Sequence, residues 1–216
     1  MEDVKETSRR KAPFLRPQSI AVDGDSVWIG SIATSKIYAL DPATLRVVSE
    51  SDAPGKPWGM TKVGGGDLRV ICGEGDDDDR YVYDYRAGKG FAGSARFQCP
   101  ESTGSQLSFD GKRLYVSQWY NRRLLGVDEA GNVEETIPIP HQICGQTFAD
   151  GAFYLLTTED ESTNDYWITR VTLRSGTPAI ADLARVPFAA RALAFDGAQF
   201  WTNHREAGEV VTFTLP

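Results

Sequence analysis

A repeated sequence pattern limits the folds open to this 216-residue chain more than any other feature. Each copy has a short run of alternating apolar and polar residues, a turn with glycine, and a second run rich in aromatic and branched aliphatic residues. The clearest copies begin at Gln18–Gly24, Ser105–Gly111 and Arg191–Gly197. The turn glycines of five copies are separated by 40 to 46 residues: Gly24, Gly65, Gly111, Gly151 and Gly197.

The residue types in each copy indicate β-hairpins. Alternation with a period of two suits a strand whose two faces differ in polarity. Asp-Gly between two such runs favours a tight turn, because both residues tolerate a positive φ. A third and a short fourth strand follow most copies, as at Lys36–Leu40 and Arg46–Val48, and a polar turn such as Arg174–Gly176 follows the third strand.

Four short antiparallel strands repeated at this spacing are typical of a β-propeller blade. We therefore predict an all-β fold, a five-bladed β-propeller with four antiparallel strands per blade; the regular spacing disfavours an open sandwich. The last blade has only three strands before Pro216, so we expect N-terminal residues, at Pro13–Arg16, to supply the fourth strand. Pairing of the N- and C-terminal strands would close the ring. We interpret residues 1–11 as a charged tail and residues 12–216 as one propeller domain.

The overall charge narrows the range of partners. The chain holds 23 Lys and Arg against 30 Asp and Glu, a net charge of −7. Nucleic acids and anionic membranes attract positive surfaces, so neither is expected as a partner. The chain lacks the run of about 18 apolar residues that a transmembrane helix needs, and residues 1–11 lack the apolar core of a secretory signal. Three cysteines without zinc-ligand spacing favour a reducing compartment, so we expect a cytoplasmic protein. We also expect a monomer.

Two stretches carry a resemblance to known propellers. Asp110–Asp128 and Val27–Thr44 resemble the NHL-type repeat and its relatives, the gluconolactonase (senescence-marker) and virginiamycin B lyase-like propellers, and the resemblance extends from about Pro17 to Pro216. It implies chemistry on a small molecule. Gluconolactonase-like relatives hold a divalent metal through carboxylate and asparagine ligands. The positions that match those ligands here carry no carboxylate, so no metal or other cofactor is expected: Gln18, Trp58, Ser105, Cys144 and Arg191.

Candidate site residues follow from the architecture. One face of a propeller carries the loops that lead into each first strand and those that join second and third strands, and binding sites concentrate on such loops. Both histidines fall on this face, as does Arg205, and we predict that His204 is the catalytic acid or base, with Tyr120 or Glu159. The predicted substrate-binding residues supply stacking surfaces, amides and a cation: Gln18, Trp58, Gln106, Gln118, Trp119, His141, Gln146 and Arg191. Arg191 has the alternative of pairing with a carboxylate such as Glu159.

The predicted function is that of a metal-independent lyase or hydrolase acting on a small anionic or aromatic molecule. A non-catalytic module that binds a ligand, peptide or protein on the same face is the alternative, because the fold does not decide between them. A sugar-binding lectin is a third possibility. It would need near-identical pockets in every blade, whereas the loops on the site face differ in sequence from blade to blade. The acidic run Gly73–Arg80 suggests calcium, but it lacks the EF-hand pattern, so a solvated acidic loop is the preferred interpretation.

Overall fold

The protein is built from five antiparallel β-sheets, in a computed structural model that describes residues 1–174 and 177–216. Two short 3-10 turns, Gly64–Gly66 and Pro100–Ser102, are the helical elements of that part of the chain. None of the described helical residues forms a segment long and apolar enough to cross a membrane. The turn predicted at Arg174–Gly176 includes residues 175 and 176, which lie outside the described residues.

The strands follow one another blade by blade, after a first strand that belongs to the last blade. That strand is β1 (Lys5–Lys11). Blade I holds β2 (Pro17–Asp23), β3 (Ser26–Ser31), β4 (Lys36–Leu40) and β5 (Val47–Asp52). Blade II holds β6 (Lys56–Lys62), β7 (Leu68–Glu74), β8 (Asp79–Arg86), β9 (Gly90–Phe91) and β10 (Phe97–Gln98). Blade III holds β11 (Leu107–Phe109), β12 (Leu114–Gln118), β13 (Arg123–Val127) and β14 (Val133–Pro138). Blade IV holds β15 (Gln142–Ala149), β16 (Ala152–Thr158), β17 (Tyr166–Arg174) and β18 (Thr177–Val186). Blade V holds β19 (Ala190–Phe195), β20 (Phe200–His204), β21 (Glu209–Thr214) and β1.

The five-bladed propeller predicted from the repeat is confirmed. The innermost strands β2, β6, β11, β15 and β19 contact one another in that order, and β19 contacts β2. Each predicted Asp-Gly turn joins the first and second strands of its blade, and its glycine has a positive φ: Gly24, Gly111, Gly151 and Gly197. The repeat therefore corresponds to the blades.

The strand that closes the ring lies earlier in the chain than predicted. β1 pairs antiparallel with β21 from Lys5–Thr214 to Lys11–Glu209, whereas Pro13–Arg16, the predicted closing segment, forms no strand. β1 therefore comes from the segment that we interpreted as a charged tail. Its side chains are mostly exposed because it is an outermost strand, and its charged sequence gives no apolar alternation.

Apolar side chains fill the five interfaces between neighbouring blades. Each interface has its own cluster, for example Ile20, Ala192 and Trp201 between blades I and V, and Trp28 with Met60 between blades I and II. Burying a large apolar side chain stabilises a fold by about 1.5–3 kcal/mol, so blade contacts dominate the stability of the ring. Trp28 and Trp201 thus pack between blades.

Candidate ligand-binding site

A cavity of about 410 Å³ opens on the face of the ring that carries the predicted site loops. Its lining comes from the starts of the innermost strands of blades I to III and from loops that join second and third strands. Aromatic walls are provided by Trp58, Trp119 and Tyr120. Polar and charged groups complete it: Arg16, Gln18, Lys56, Arg80, Ser105, Gln106, Glu161 and Arg205.

Bulges in the innermost strands bring two of the predicted residues to the cavity. The pairing register shifts between Pro17 and Ser19 and between Pro57 and Gly59, which leaves Gln18 and Trp58 as the extra residues. A bulge frees its extra residue from the strand ladder and redirects the side chain. The same distortion therefore recurs in adjacent blades and places an amide and an indole beside each other.

The freed backbone carbonyl of Trp58 links three blades at the floor of the cavity. Gln106 Nε2 donates a hydrogen bond to this oxygen at 3.0 Å, and Gln18 Nε2 lies 3.5 Å from it. Both glutamine side chains are almost fully buried. A buried carbonyl needs such partners because an unsatisfied polar group is destabilising. Gln18 and Gln106, predicted as substrate-binding residues, therefore hold the floor together.

Positive charge gathers in two clusters on the cavity lining. Arg16 and Arg205 share the carboxylate of Glu206, at 3.2 and 2.9 Å. Lys56 and Arg80 share the carboxylate of Asp78, at 3.9 and 2.9 Å. Each cluster thus pairs two cations with one carboxylate. The concentration of positive charge stands against a net charge of −7 for the whole chain.

Arg205 is one of the two enclosed cations of the lining, with Arg80. Its side chain is 16% exposed, and its Nη1 donates to Gln18 Oε1 at 3.0 Å. Burial, followed by the nearby charge of Arg191, lowers the pKa of Arg205 from its usual value. An arginine nevertheless stays protonated near neutral pH. A partly desolvated cation of this kind attracts an anion more strongly than an exposed one does.

Arg191 lies beneath the cavity and holds in place the carboxylate of Glu161, which lines the cavity. Arg191 is 4% exposed; its Nη1 donates to the Tyr166 hydroxyl at 2.7 Å and its Nη2 to Glu161 Oε2 at 3.1 Å. The Tyr166 hydroxyl in turn donates to the backbone carbonyl of Glu161 at 3.2 Å. Glu159 was the example predicted as the alternative partner of Arg191, whereas Arg191 pairs with Glu161, two residues later.

His141 and Glu159 form a separate group on blade IV. His141 Nδ1 is hydrogen-bonded to Glu159, and Nε2 lies 3.4 Å from Asp182. Arg122 contacts the other Glu159 oxygen at 3.1 Å. The hydrogen bond from His141 holds the pKa of Glu159 below its usual value. Neither residue lines the cavity.

His204 faces the ring closure instead of the cavity. Its Nδ1 lies 3.5 Å from Arg9 Nη1 and 3.9 Å from Glu209, and its ring lies beside Phe188. Burial, followed by the charge of Arg9, lowers the pKa of His204. The three residues predicted to be catalytic therefore do not lie together. His204 lies at the ring closure, Glu159 lies beside His141, and Tyr120, which is 80% exposed, lies at the cavity rim.

The remaining predicted residues divide between lining and support. Trp119 lines the cavity and donates its indole N–H to Gln142 at 2.8 Å. Gln118 is buried and donates to the Pro100 carbonyl at 2.9 Å. Gln146 is buried and donates to the Tyr115 carbonyl at 2.7 Å, which joins blades III and IV. These two glutamines serve the packing of the ring.

Sequence reasoning missed four charged residues of the lining and gave Arg205 no role. The missed residues are Arg16, Lys56, Arg80 and Glu161. A signal existed for two of them: Arg16-Pro17 and Lys56-Pro57 are basic-proline pairs that immediately precede the bulged residue in consecutive copies. Arg80 and Glu161 lie within acidic runs, where nothing in the sequence shows which residue turns inward.

Comparisons with known proteins support the fold. No protein-family model and no curated protein sequence matches the chain. Among solved structures, regucalcin, a calcium-binding protein from Agrobacterium tumefaciens, matches with a TM-score of 0.63 at 14% identity, over 100% of this chain and 96% of that chain. A catalytically inactive virginiamycin B lyase from Staphylococcus aureus, with quinupristin, matches with a TM-score of 0.54 at 16% identity, over 94% and 82%. Hydrazine synthase from Kuenenia stuttgartiensis matches with a TM-score of 0.57 at 18% identity; this chain is 91% covered but spans only 64% of that one.

The resemblance to regucalcin-like and virginiamycin B lyase-like propellers is thus confirmed at the level of the fold. The protein is a five-bladed β-propeller whose structural neighbours include enzymes. We call the face on which the cavity opens the upper face of the ring. The side chains at its centre do not fit a divalent cation, because such a cation needs several oxygen ligands. Gln18 and Gln106 direct amide N–H groups inward, and Arg191 adds a cation.

Proposed function

We propose that the protein binds a small organic anion in the cavity of its upper face. The observation that carries this proposal is the pair of cation clusters, Arg16 with Arg205 and Lys56 with Arg80, each sharing a single carboxylate. A cleft lined by one sign of charge raises the local concentration of oppositely charged ligands. The aromatic walls supply apolar surface for the rest of the molecule.

We propose further that the bound anion is turned over by acid–base chemistry, as in a lyase or a hydrolase. Glu161 is the carboxylate that lines the cavity within the described residues. Arg191 donates to its carboxylate and Tyr166 to the backbone carbonyl of the same residue, which supports a fixed orientation for proton transfer. Glu161 therefore replaces His204 and Glu159 as the proposed base, and the Tyr120 hydroxyl remains the proposed partner group at the rim.

Titration with an aromatic carboxylate tests the binding proposal. Naphthalene-2-carboxylate serves as the probe, and calorimetry measures its Kd with wild type, Arg205→Gln and the control Arg86→Gln, which removes an exposed cation of the same kind outside the cavity. Loss of one charge-assisted hydrogen bond removes about 1.5–3 kcal/mol, so Arg205→Gln is expected to weaken binding roughly tenfold or more. Equal Kd values for the two variants, or no binding by wild type, would overturn the proposal.

A second variant separates binding from turnover. Glu161→Gln removes negative charge from the lining, so we expect it to bind the carboxylate as tightly as wild type or more tightly. Incubation with aromatic lactones, esters and β-substituted carboxylates should give product with wild type and none with this variant. If wild type binds anions but converts none of these compounds, the non-catalytic alternative stands and Glu161 is not a base.

A further inference from the structure

The guanidinium of Arg80 lies over an aromatic wall of the cavity. Its Cζ atom is 4.0 Å from the centroid of the Trp58 ring. Such contacts are favourable because the electron-rich ring face attracts a cation. Both residues line the cavity, and the Arg80 side chain is 17% exposed.

Hydrogen bonds hold the edges of this guanidinium, so that its orientation is fixed. Nε donates to the Asp78 carbonyl at 2.7 Å and Nη2 to the Asp78 carboxylate at 2.9 Å. Nη1 lies 3.3 Å from the Gly104 carbonyl. A guanidinium has five N–H donors, and these contacts use three of them. Trp58 lies over one face of the group, and these contacts leave the opposite face and two N–H donors without an assigned partner.

Asp78 positions both members of this stack. Its carboxylate also accepts a hydrogen bond from the Trp58 indole at 3.2 Å, and its backbone has a φ of 56°, in the left-handed region that aspartate tolerates better than most residues. A Cβ at Gly73 would lie 1.9 Å from Asp78 Oδ1 and 2.8 Å from Trp58 Nε1, so a side chain there would displace this contact. The residue that turns inward from the acidic run Gly73–Arg80 thus fixes an indole and a guanidinium together.

We propose that this stack makes the cavity select planar, conjugated anions, which lie on the face of Arg80 opposite Trp58 while their acid group meets the cation clusters. The inference rests on the proposed function and adds the class of ligand. Arg80 is then a specificity-determining residue, because a flat cation stacks on a flat ligand as an ammonium group does not. Asp78 and Trp58 act as positioning residues.

Matched pairs of flat and saturated acids test the inference. Benzoate and naphthalene-2-carboxylate are each compared with their ring-saturated analogues, cyclohexanecarboxylate and decahydronaphthalene-2-carboxylate, which carry the same charge. Stacking on a desolvated cation corresponds to roughly a fivefold difference or more, so wild type should bind the flat member of each pair at least that much more tightly. In Arg80→Lys, which keeps the charge, the ratio should fall to near one while the saturated acids bind within about threefold of wild type.

A spectroscopic readout separates positioning from folding. The indole N–H signal of Trp58 should shift in Asp78→Asn, and the Arg80 Nε–Hε signal should show an upfield ring-current shift with naphthalene-2-carboxylate in wild type. Arg86→Lys, on the same strand β8 but paired with Asp67 outside the cavity, is the matched control and should keep the wild-type ratio.

The outcomes distinguish the two proposals. Equal affinity of wild type for flat and saturated acids would overturn the selectivity and leave the anion site in place. A wild-type ratio in folded Arg80→Lys would overturn the role of Arg80. Failure of all four acids to bind would overturn the proposed function itself, and the selectivity with it.

Discussion

Glycines at the centre of the ring mark where neighbouring strands come closest. A Cβ at Gly59 would lie 2.6 Å from the Cα of Gln106 and 2.7 Å from the carbonyl oxygen of Ser105. The equivalent atom at Gly145 would lie 2.5 Å from the carbonyl carbon of Ala192. All of these neighbours are backbone atoms of the adjacent blade, within or just before its innermost strand, so a side chain can be accommodated only if the blades move apart.

Gly59→Ala is therefore expected to destabilise the protein. Overpacking typically costs about 1–3 kcal/mol, and a shift of β6 against β11 would also disturb the Trp58 carbonyl that Gln106 contacts. Urea unfolding followed by tryptophan fluorescence measures the change. Gly93→Ala is the control, since no atom lies within 4 Å of the Cβ position there, and it should stay within about 0.5 kcal/mol of wild type. Equal stability of the two variants would contradict the tight centre.

The three cysteines should be unreactive in the folded protein. Cys72, Cys99 and Cys144 are free and buried, and burial raises the pKa of each to about 12. At about pH 8 a thiol of that pKa is thiolate in roughly one molecule in ten thousand. A chromogenic disulfide reagent should label no thiol within minutes in native protein and three in urea. Rapid labelling of any thiol in native protein would show that its burial is wrong.

His204 should make the ring closure weaker at mildly acidic pH. Burial and the charges of Arg9, Lys11 and Arg191 lower its pKa, and Glu209 only partly opposes them. The fold thus favours the neutral form of His204. Its contribution to the free energy of unfolding is therefore complete above about pH 6.5, the ordinary pKa of histidine in an unfolded chain, and is lost as the pH falls below that value. Urea midpoints at about pH 7.5 and pH 5.5 should fall more for wild type than for His204→Gln. Equal falls would contradict a lowered pKa.

At the scale of the strand, β1 fastens blade V to its neighbours. Val4, just before β1, is buried in the cluster between blades IV and V. Arg9 lies over the Phe188 ring, with Cζ 4.5 Å from the centroid. Arg10 reaches blade I, where its guanidinium donates to the carbonyls of Pro42 and Ala43. The strand therefore closes the sheet of blade V and also bridges two blade interfaces.

Deletion of residues 1–11 is expected to lower the free energy of unfolding by about 3 kcal/mol or more. It removes the buried Val4 side chain, which exposes the apolar surface that it covers, and it exposes the edge of β21. Thermal unfolding and size-exclusion chromatography should show a lower Tm and self-association through the free edge. A synthetic peptide of residues 1–12 added to the shortened protein should restore the Tm by replacing the strand. An unchanged Tm after deletion would mean that β1 does not close the ring.

The strands of the blades could be predicted from the sequence, and the closing strand could not. Asp-Gly turns and period-two alternation are local signals, so they located the hairpins of blades I, III, IV and V. β1 has no such signal, because an outermost strand buries little of either face and its charged residues are stable there. The bulges at Gln18 and Trp58 were not predicted either, although a basic-proline pair precedes each of them.

At the scale of the whole molecule, the lining of the cavity is rich in positive charge although the net charge of the chain is negative. The cations of the cavity come from Arg16, Lys56, Arg80 and Arg205, which only the closed ring brings together. Sequence reasoning placed the site on the face where the cavity opens and named several aromatic and amide residues of its lining, but it selected His204 and Glu159 because those residue types are chemically versatile. Their actual neighbours depend on blade geometry that a single sequence does not contain.

A crystal structure of the protein with naphthalene-2-carboxylate would locate an organic anion directly. We predict the ligand inside the upper cavity, with its carboxylate within hydrogen-bond distance of at least one of Arg16, Lys56, Arg80 and Arg205, and its rings parallel to the guanidinium of Arg80. A cavity that stays free of ligand at saturating concentration, or a ligand bound only elsewhere on the ring, would contradict the assignment of this face as an anion-binding site.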